Sequence, residues 1–141
     1  MHSLNRMTTI SSSGELPLRN EHDIVRGRQA VRRLAQEMGF SLVDQTKLVT
    51  AASELARNTL VYGGGGTLVW QVLADGVKRG VRLTFEDRGP GIPNVELAMT
   101  DGWTSGTGLG LGLTGARRLV NEFELSSTVG VGTRVIVTRW K

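Results

Sequence analysis

From Asn20 to Gly39 the apolar residues Ile24, Val31, Leu34, Ala35 and Met38 recur at helical spacing, with Arg26, Arg28, Arg32 and Arg33 spread over the opposite arc. This pattern predicts an amphipathic helix over 20–39, closed by Gly39. A second helix over 43–61 carries Leu48, Ala52, Leu55 and Thr59 on one face and stops at the glycines of 63–66. The spacing then becomes that of strands. TLVWQVLA (67–74) and VRLTFEDR (81–88) are rich in β-branched residues and read as an antiparallel pair joined by DGVKRG. A glycine and proline turn leads to a loop with a short helix near 94–100, a glycine-rich stretch and a helix over 109–123. ELSSTV and TRVIVTRW, joined by GVG, form a closing hairpin, and a short strand around MTTISSS opens the chain. Strand, two helices, two strands, loop, helix, two strands: this order predicts an α/β two-layer sandwich. Its sheet is mixed but mainly antiparallel, covered on one face by about three helices.

Composition narrows the chemistry. A length of 141 residues with 39% hydrophobic content suits a single domain over 1–141, with 1–19 as a short strand or extension. The absence of cysteine excludes a disulfide framework and a thiol nucleophile, and His2 and His22 are too few for a histidine-built metal site. A metal would therefore take oxygen ligands. No apolar run approaches a membrane span, and the N-terminal segment lacks the apolar block of a signal peptide, so the expectation is a cytoplasmic protein without a membrane partner. A net charge of +4 permits nucleic-acid binding, but aromatics are only 5% and are not interleaved with the basic residues, so no nucleic-acid partner is expected. The arginine arc of the first helix is either a solvated face or a docking surface for an acidic protein.

Four short stretches carry candidate chemistry. In EDRGPGIP (86–93), Asp87 stands where a strand runs into a turn. A carboxylate only accepts hydrogen bonds, so it matches the exocyclic amino group of adenine and mismatches the carbonyl of guanine. The plainer alternative is that Asp87 opens a turn completed by Gly89 and Gly91. Glu54 and Asn58 are four residues apart on the second helix and share a face from which they can address a cleft together. The amide oxygen suits Mg²⁺ shared with phosphates, and the glutamate can take a proton from a hydroxyl. The alternative is a solvent-facing polar pair, with Arg57 bound to Glu54.

TSGTGLGLGLTG (104–115) places glycines at the entrance of a helix, where unpaired N–H groups and the positive end of the dipole favour an anion. GLGLTG also fits G-x-G-x-x-G. A polar loop precedes it, however, and the 26 residues that follow Gly115 leave no room for a dinucleotide fold. No P-loop motif occurs. In GVGT (130–133), Thr133 either reaches a nucleotide or closes a strand turn.

Together SELARN (53–58), EDRGPGI (86–92), GTGLGLGL (106–113) and VGVGTRVIV (129–137) resemble, in order and spacing, the successive boxes of the GHKL ATPase superfamily of histidine kinases, gyrase, Hsp90 and MutL. Within it the chain is similar to the anti-sigma regulatory serine/threonine kinases, the group that includes the switch kinases of the bacterial stressosome. The resemblance implies the Bergerat ATP-binding fold, with ATP and Mg²⁺ as cofactors. It puts Glu54 on the general base, Asn58 on the Mg²⁺-holding asparagine and Asp87 on the adenine-binding aspartate, with Gly89 and Gly91 shaping the pocket. Gly106, Thr107, Gly108, Leu109, Gly110 and Gly112 fall on the lid end, whose backbone amides approach the phosphates, and Thr133 falls on the threonine behind the adenine.

The resemblance further implies transfer of the γ-phosphoryl of Mg·ATP to a serine or threonine of a STAS-domain antagonist or stressosome scaffold protein, with activation of a PP2C-type phosphatase as output. The alternative it leaves open is an anti-sigma protein that sequesters a sigma factor. The lid over 92–105 contains Glu96 and Asp101 but no Lys or Arg. Neutralisation of the phosphates then falls to Mg²⁺, the helix terminus and Arg57 or Arg117.

Overall fold

Asn20 and Ser41 start the two long helices. In the structure, a computed structural model describing residues 8–100 and 109–141, Asn20 Oδ1 accepts the Asp23 N–H at 2.9 Å to open α1 (Glu21–Glu37). Ser41 Oγ accepts the Asp44 N–H at 3.1 Å to open α2 (Leu42–Val61). Each such cap contributes about 1 kcal/mol. The remaining elements are β1 (Thr8–Leu18), β2 (Gly66–Asp75), β3 (Lys78–Asp87), α3 (Val95–Ala98), α4 (Leu109–Arg117), β4 (Glu122–Thr128) and β5 (Gly132–Trp140).

The strands form one sheet in the order β1-β2-β3-β5-β4. The expected α/β sandwich is present, but all four pairings are antiparallel, where the sequence suggested a mixed sheet. The helical connection does return β4 parallel to β3. They are not neighbours, because β5 folds back from β4 and inserts between them. Two boundaries also differ from expectation. β1 extends to Leu18, since an edge strand tolerates Pro17 and the Trp70 ring covers the space a Gly14 side chain would occupy. α4 ends at Arg117, not at 123, because Phe123 and Leu125 alternate as strand residues opposite Val137 and Val135.

Leu68, Leu83, Phe85, Val135 and Val137 meet Ile24, Val31, Leu48, Leu55 and Leu113 in the core between sheet and helices. Each large aliphatic side chain buried there stabilises the fold by about 1.5–3 kcal/mol. A polar clamp closes one side. Arg139 donates to Asp44 Oδ1 at 2.6 Å and to the Leu119 carbonyl at 3.0 Å, tying β5 to the start of α2 and to the turn after α4. That guanidinium, through its hydrogen bond first and its charge second, holds the Asp44 carboxyl below its ordinary range.

Candidate functional site

The C-terminal half of α2, the end of β3 and the start of β5 converge on a cavity of about 240 Å³. Leu55, Phe85, Ile92, Leu113 and Val135 make its apolar wall, and Asn58, Thr59, Asp87 and Thr133 supply side-chain polar groups. This is the composition of a small-molecule pocket: mostly apolar, with a few fixed polar groups. Asp87 and Thr133 are direct register partners across β3 and β5, which puts a carboxylate and a hydroxyl side by side at one end.

Asp87 is held by backbone that comes unusually close. Its Oδ1 accepts the Gly89 N–H at 2.8 Å, which leaves the other oxygen for a ligand. A Cβ on Gly63 would lie 2.5 Å from that second oxygen, and a Cβ on Gly89 would lie 2.7 Å from the Gly63 carbonyl oxygen. A Cβ on Gly132 would collide with the Asp87 carbonyl oxygen. Gly91 has φ +80°, and its Cβ would meet the Thr128 carbonyl oxygen at 2.5 Å, while Gly130 N–H donates to the Pro90 carbonyl at 2.9 Å. The 89–93 loop is thereby fixed onto the β4–β5 hairpin. Gly91 lines the cavity and takes the left-handed region, whereas Gly89 does not line it and packs against the Gly63 backbone.

Asn58 marks the other polar position. A Cβ on Gly112, one turn into α4, would sit 2.9 Å from Asn58 Nδ2 and 3.2 Å from Oδ1, so only glycine lets α4 rest on this amide. Asn58 Nδ2 is buried with no hydrogen-bond partner among the described residues, an open capacity that points to a polar ligand. No group of three or more His, Cys, Asp or Glu side chains comes together among the described residues. The Asn58 amide oxygen is of the type that Mg²⁺ takes beside water and phosphate oxygens, and the amide nitrogen is a donor suited to a phosphate oxygen.

Glu54 stands one turn before Asn58 but does not line the cavity; it is exposed. Leu55 of the same turn lines the cavity, and Glu54, about 100° round the helix from it, faces solvent. Arg57 does not pair with Glu54: it donates to Glu21 Oε1 at 3.0 Å, bridging the exposed faces of α1 and α2. Arg117 lies in the last turn of α4, roughly 12 Å along the axis from the helix start. Gly106, Thr107 and Gly108 lie outside the described residues, and Leu109 and Gly110 form the first turn of α4.

Sequence reasoning missed Gly63, which it read only as a helix stop, and Ser127, which joins Thr133 to the 89–93 loop. One signal was available for the first. A helix needs a single glycine to end, and this one is followed by four. Gly64 and Gly65 take φ +76° and +104°, whereas Gly63 and Gly66 serve close approach; a Cβ on Gly66 would strike Thr59 Cγ2 at 2.8 Å. Nothing local marks Ser127.

Residues 43–141 match the family described as histidine kinase-, DNA gyrase B-, and HSP90-like ATPase. The serine/threonine-protein kinase RsbT of Bacillus subtilis (strain 168) is 46% identical over 120 residues, covering 85% of this chain and 90% of that protein. An anti-sigma F factor of Clostridium novyi (strain NT) is 28% identical over 117 residues, covering 79% of this chain and 82% of that one. Among solved structures, the RsbU and RsbW domains of a Mycobacterium tuberculosis protein superpose with a TM-score of 0.62 at 22% identity, over 93% of this chain and 33% of that one. That likeness supports the fold.

Proposed function

The chain belongs to the histidine kinase-, DNA gyrase B- and HSP90-like ATPase family, and from that premise we propose that it is a cytoplasmic protein-serine/threonine kinase acting on a STAS-domain antagonist in a partner-switching pathway. The observation that carries the reading is one cavity lined both by a backbone-pinned, acceptor-only carboxylate, Asp87, and by a buried amide with open hydrogen-bonding capacity, Asn58. Asp87 takes the 6-amino group of adenine, and the apolar wall covers the ring. The triphosphate runs toward Asn58 and the start of α4. Mg²⁺, when bound, neutralises phosphate charge there. Gly112 leaves Asn58 free of side-chain obstruction, and the opening N–H groups of α4 are available to phosphate oxygens.

In the transfer step the substrate hydroxyl oxygen attacks the γ-phosphorus, the bond to the β,γ-bridging oxygen breaks, and ADP leaves with that electron pair. The hydroxyl proton passes to Glu54. An exposed carboxylate one turn before Asn58, and not inside the pocket, suits a hydroxyl that arrives on another protein. Positioning and electrostatic stabilisation supply most of the catalysis. Release from the phosphorylated antagonist frees the kinase to bind and activate a PP2C-type phosphatase. Such a switch requires one surface whose affinity for two partners differs between states.

The anti-sigma reading draws on relatives at 27–30% identity, against 46% for the kinase, and ranks second. The test is incubation with γ-labelled ATP, Mg²⁺ and a candidate STAS-domain protein. Label should appear on serine or threonine with the wild type and be lost with Asn58→Ala. Undiminished transfer by that variant, or a stoichiometric sigma-factor complex without transfer, overturns the proposal.

A further inference from the structure

Ser127 lies outside the cavity and outside all four motifs, yet its hydroxyl joins three segments. It accepts the Ile92 N–H at 2.7 Å, lies 2.8 Å from Thr133 Oγ1 and lies 3.2 Å from the Gly132 carbonyl oxygen. Ile92 and Thr133 both line the cavity. A hydroxyl has one proton and two acceptor lone pairs. If the Ser127 proton pointed at Thr133, the contact with Gly132 would hold two acceptors and no proton. If it points at the Gly132 carbonyl, Thr133 must donate into the second lone pair of Ser127. Only this assignment places one proton in each of the three contacts.

We infer that Ser127 fixes the polarity of the Thr133 hydroxyl, turning its proton away from the cavity so that Thr133 offers a ligand lone pairs alone. The inference rests on the adenine-nucleotide reading above. Asp87, the register partner of Thr133, is also an acceptor. Two adjacent acceptors match the two hydrogens of a 6-amino group, and a 6-oxo purine presents an oxygen to both. Ser127 is thus a positioning residue for purine selectivity, although it touches no ligand itself.

The test measures binding of ATP and of inosine triphosphate, its 6-oxo counterpart, by calorimetry at millimolar Mg²⁺. The wild type should favour ATP at least about a hundredfold, since a site built around a donor group rejects analogues lacking it. Ser127→Ala frees the Thr133 proton to donate, and the ratio should shrink about tenfold, the effect of one hydrogen bond. Ser127→Thr, which keeps the hydroxyl, should restore it. In a Thr133→Val background, Ser127→Ala should leave the ratio unchanged. Should the alanine variant not fold, Ser127→Cys, a weak donor, should give an intermediate ratio. A merely structural Ser127 would weaken both nucleotides in proportion, and an unchanged ratio with intact ATP binding sinks this inference alone. A wild type that binds neither nucleotide sinks the proposed function with it.

Discussion

Replacing Gly63 by alanine is the sharpest steric probe of the cavity. The new Cβ would stand 2.5 Å from Asp87 Oδ2 and 2.6 Å from Asp87 Cβ, closer than unbonded carbon and oxygen atoms approach. Gly63 does not occupy the left-handed region, so the substitution acts through contact and not through backbone strain. The carboxylate must turn or the end of α2 must lift. Either movement disturbs the 2.8 Å bond from Gly89 N–H and the direction of the ligand-facing oxygen. Loss of one hydrogen bond to a charged group costs about 1.5–3 kcal/mol, which lowers ATP affinity about 10- to 100-fold.

Overpacking of this kind also costs about 1–3 kcal/mol of stability, a fall of roughly 3–9 °C in melting temperature for a chain of this size. Gly64→Ala is the control. It has φ +76° with nothing within 4 Å of the added atom, so it should lose about 1 kcal/mol of stability to backbone strain while keeping ATP affinity within about twofold. Calorimetry and thermal melts on both variants decide the matter. A Gly63→Ala protein that folds and binds ATP as the wild type does, or a Gly64→Ala protein with the larger affinity loss, refutes the reasoning.

Other consequences can be checked on the same material. Glu54→Gln should leave ATP binding within about twofold and lower the transfer rate by about 10²-fold or more, measured in single turnovers; equal losses in binding and rate would remove Glu54 from the proton-transfer role. Arg57→Ala, which breaks only the exposed pair with Glu21, should change stability by less than about 1 kcal/mol and transfer by less than about twofold, and a large loss of transfer would return Arg57 to the phosphates. Asp44, held low by the Arg139 hydrogen bond, and Asp23, held low chiefly by the Arg19 N–H, have folded pKa values below their unfolded ones. Their stabilisation is present above the unfolded value and is lost as pH falls through the folded one, so the melting temperature should drop below about pH 4. Asp44→Asn should flatten that drop, and an identical acid profile would show that the Arg139 clamp does not contribute to it.

Much of this was legible from local pattern. The caps at Asn20 and Ser41, the helical stripe of α2 and the alternation of β3 each reflect a choice made within a few residues, and the structure keeps them. The four motifs were legible because each is a contiguous run of unusual residue types. What escaped depends on distant segments. RLVNEFE continues a helical pattern by itself, and only pairing with β5 turns Phe123 and Leu125 into strand residues. The insertion of β5 between β3 and β4, which sets Thr133 beside Asp87, has no local signature either. Glu54 and Asn58 are four residues apart on α2 as their spacing required, but only Asn58 lines the cavity, which Phe85, Leu113 and the 90–93 loop complete from distant segments. Ser127 is one serine in a polar strand until Ile92 and Thr133 are brought to it.

The central claim is that the Asp87 end of the cavity grips adenine, and titration of Asp87→Asn with ATP at millimolar Mg²⁺ tests it most directly. Asparagine replaces one carboxylate oxygen by an NH2 donor, which then faces either Gly89 N–H or the 6-amino group, donor against donor. Wild type should bind one ATP per chain, and the variant should bind about 10- to 100-fold more weakly while folding normally. ATP binding by Asp87→Asn equal to that of the wild type would contradict the account.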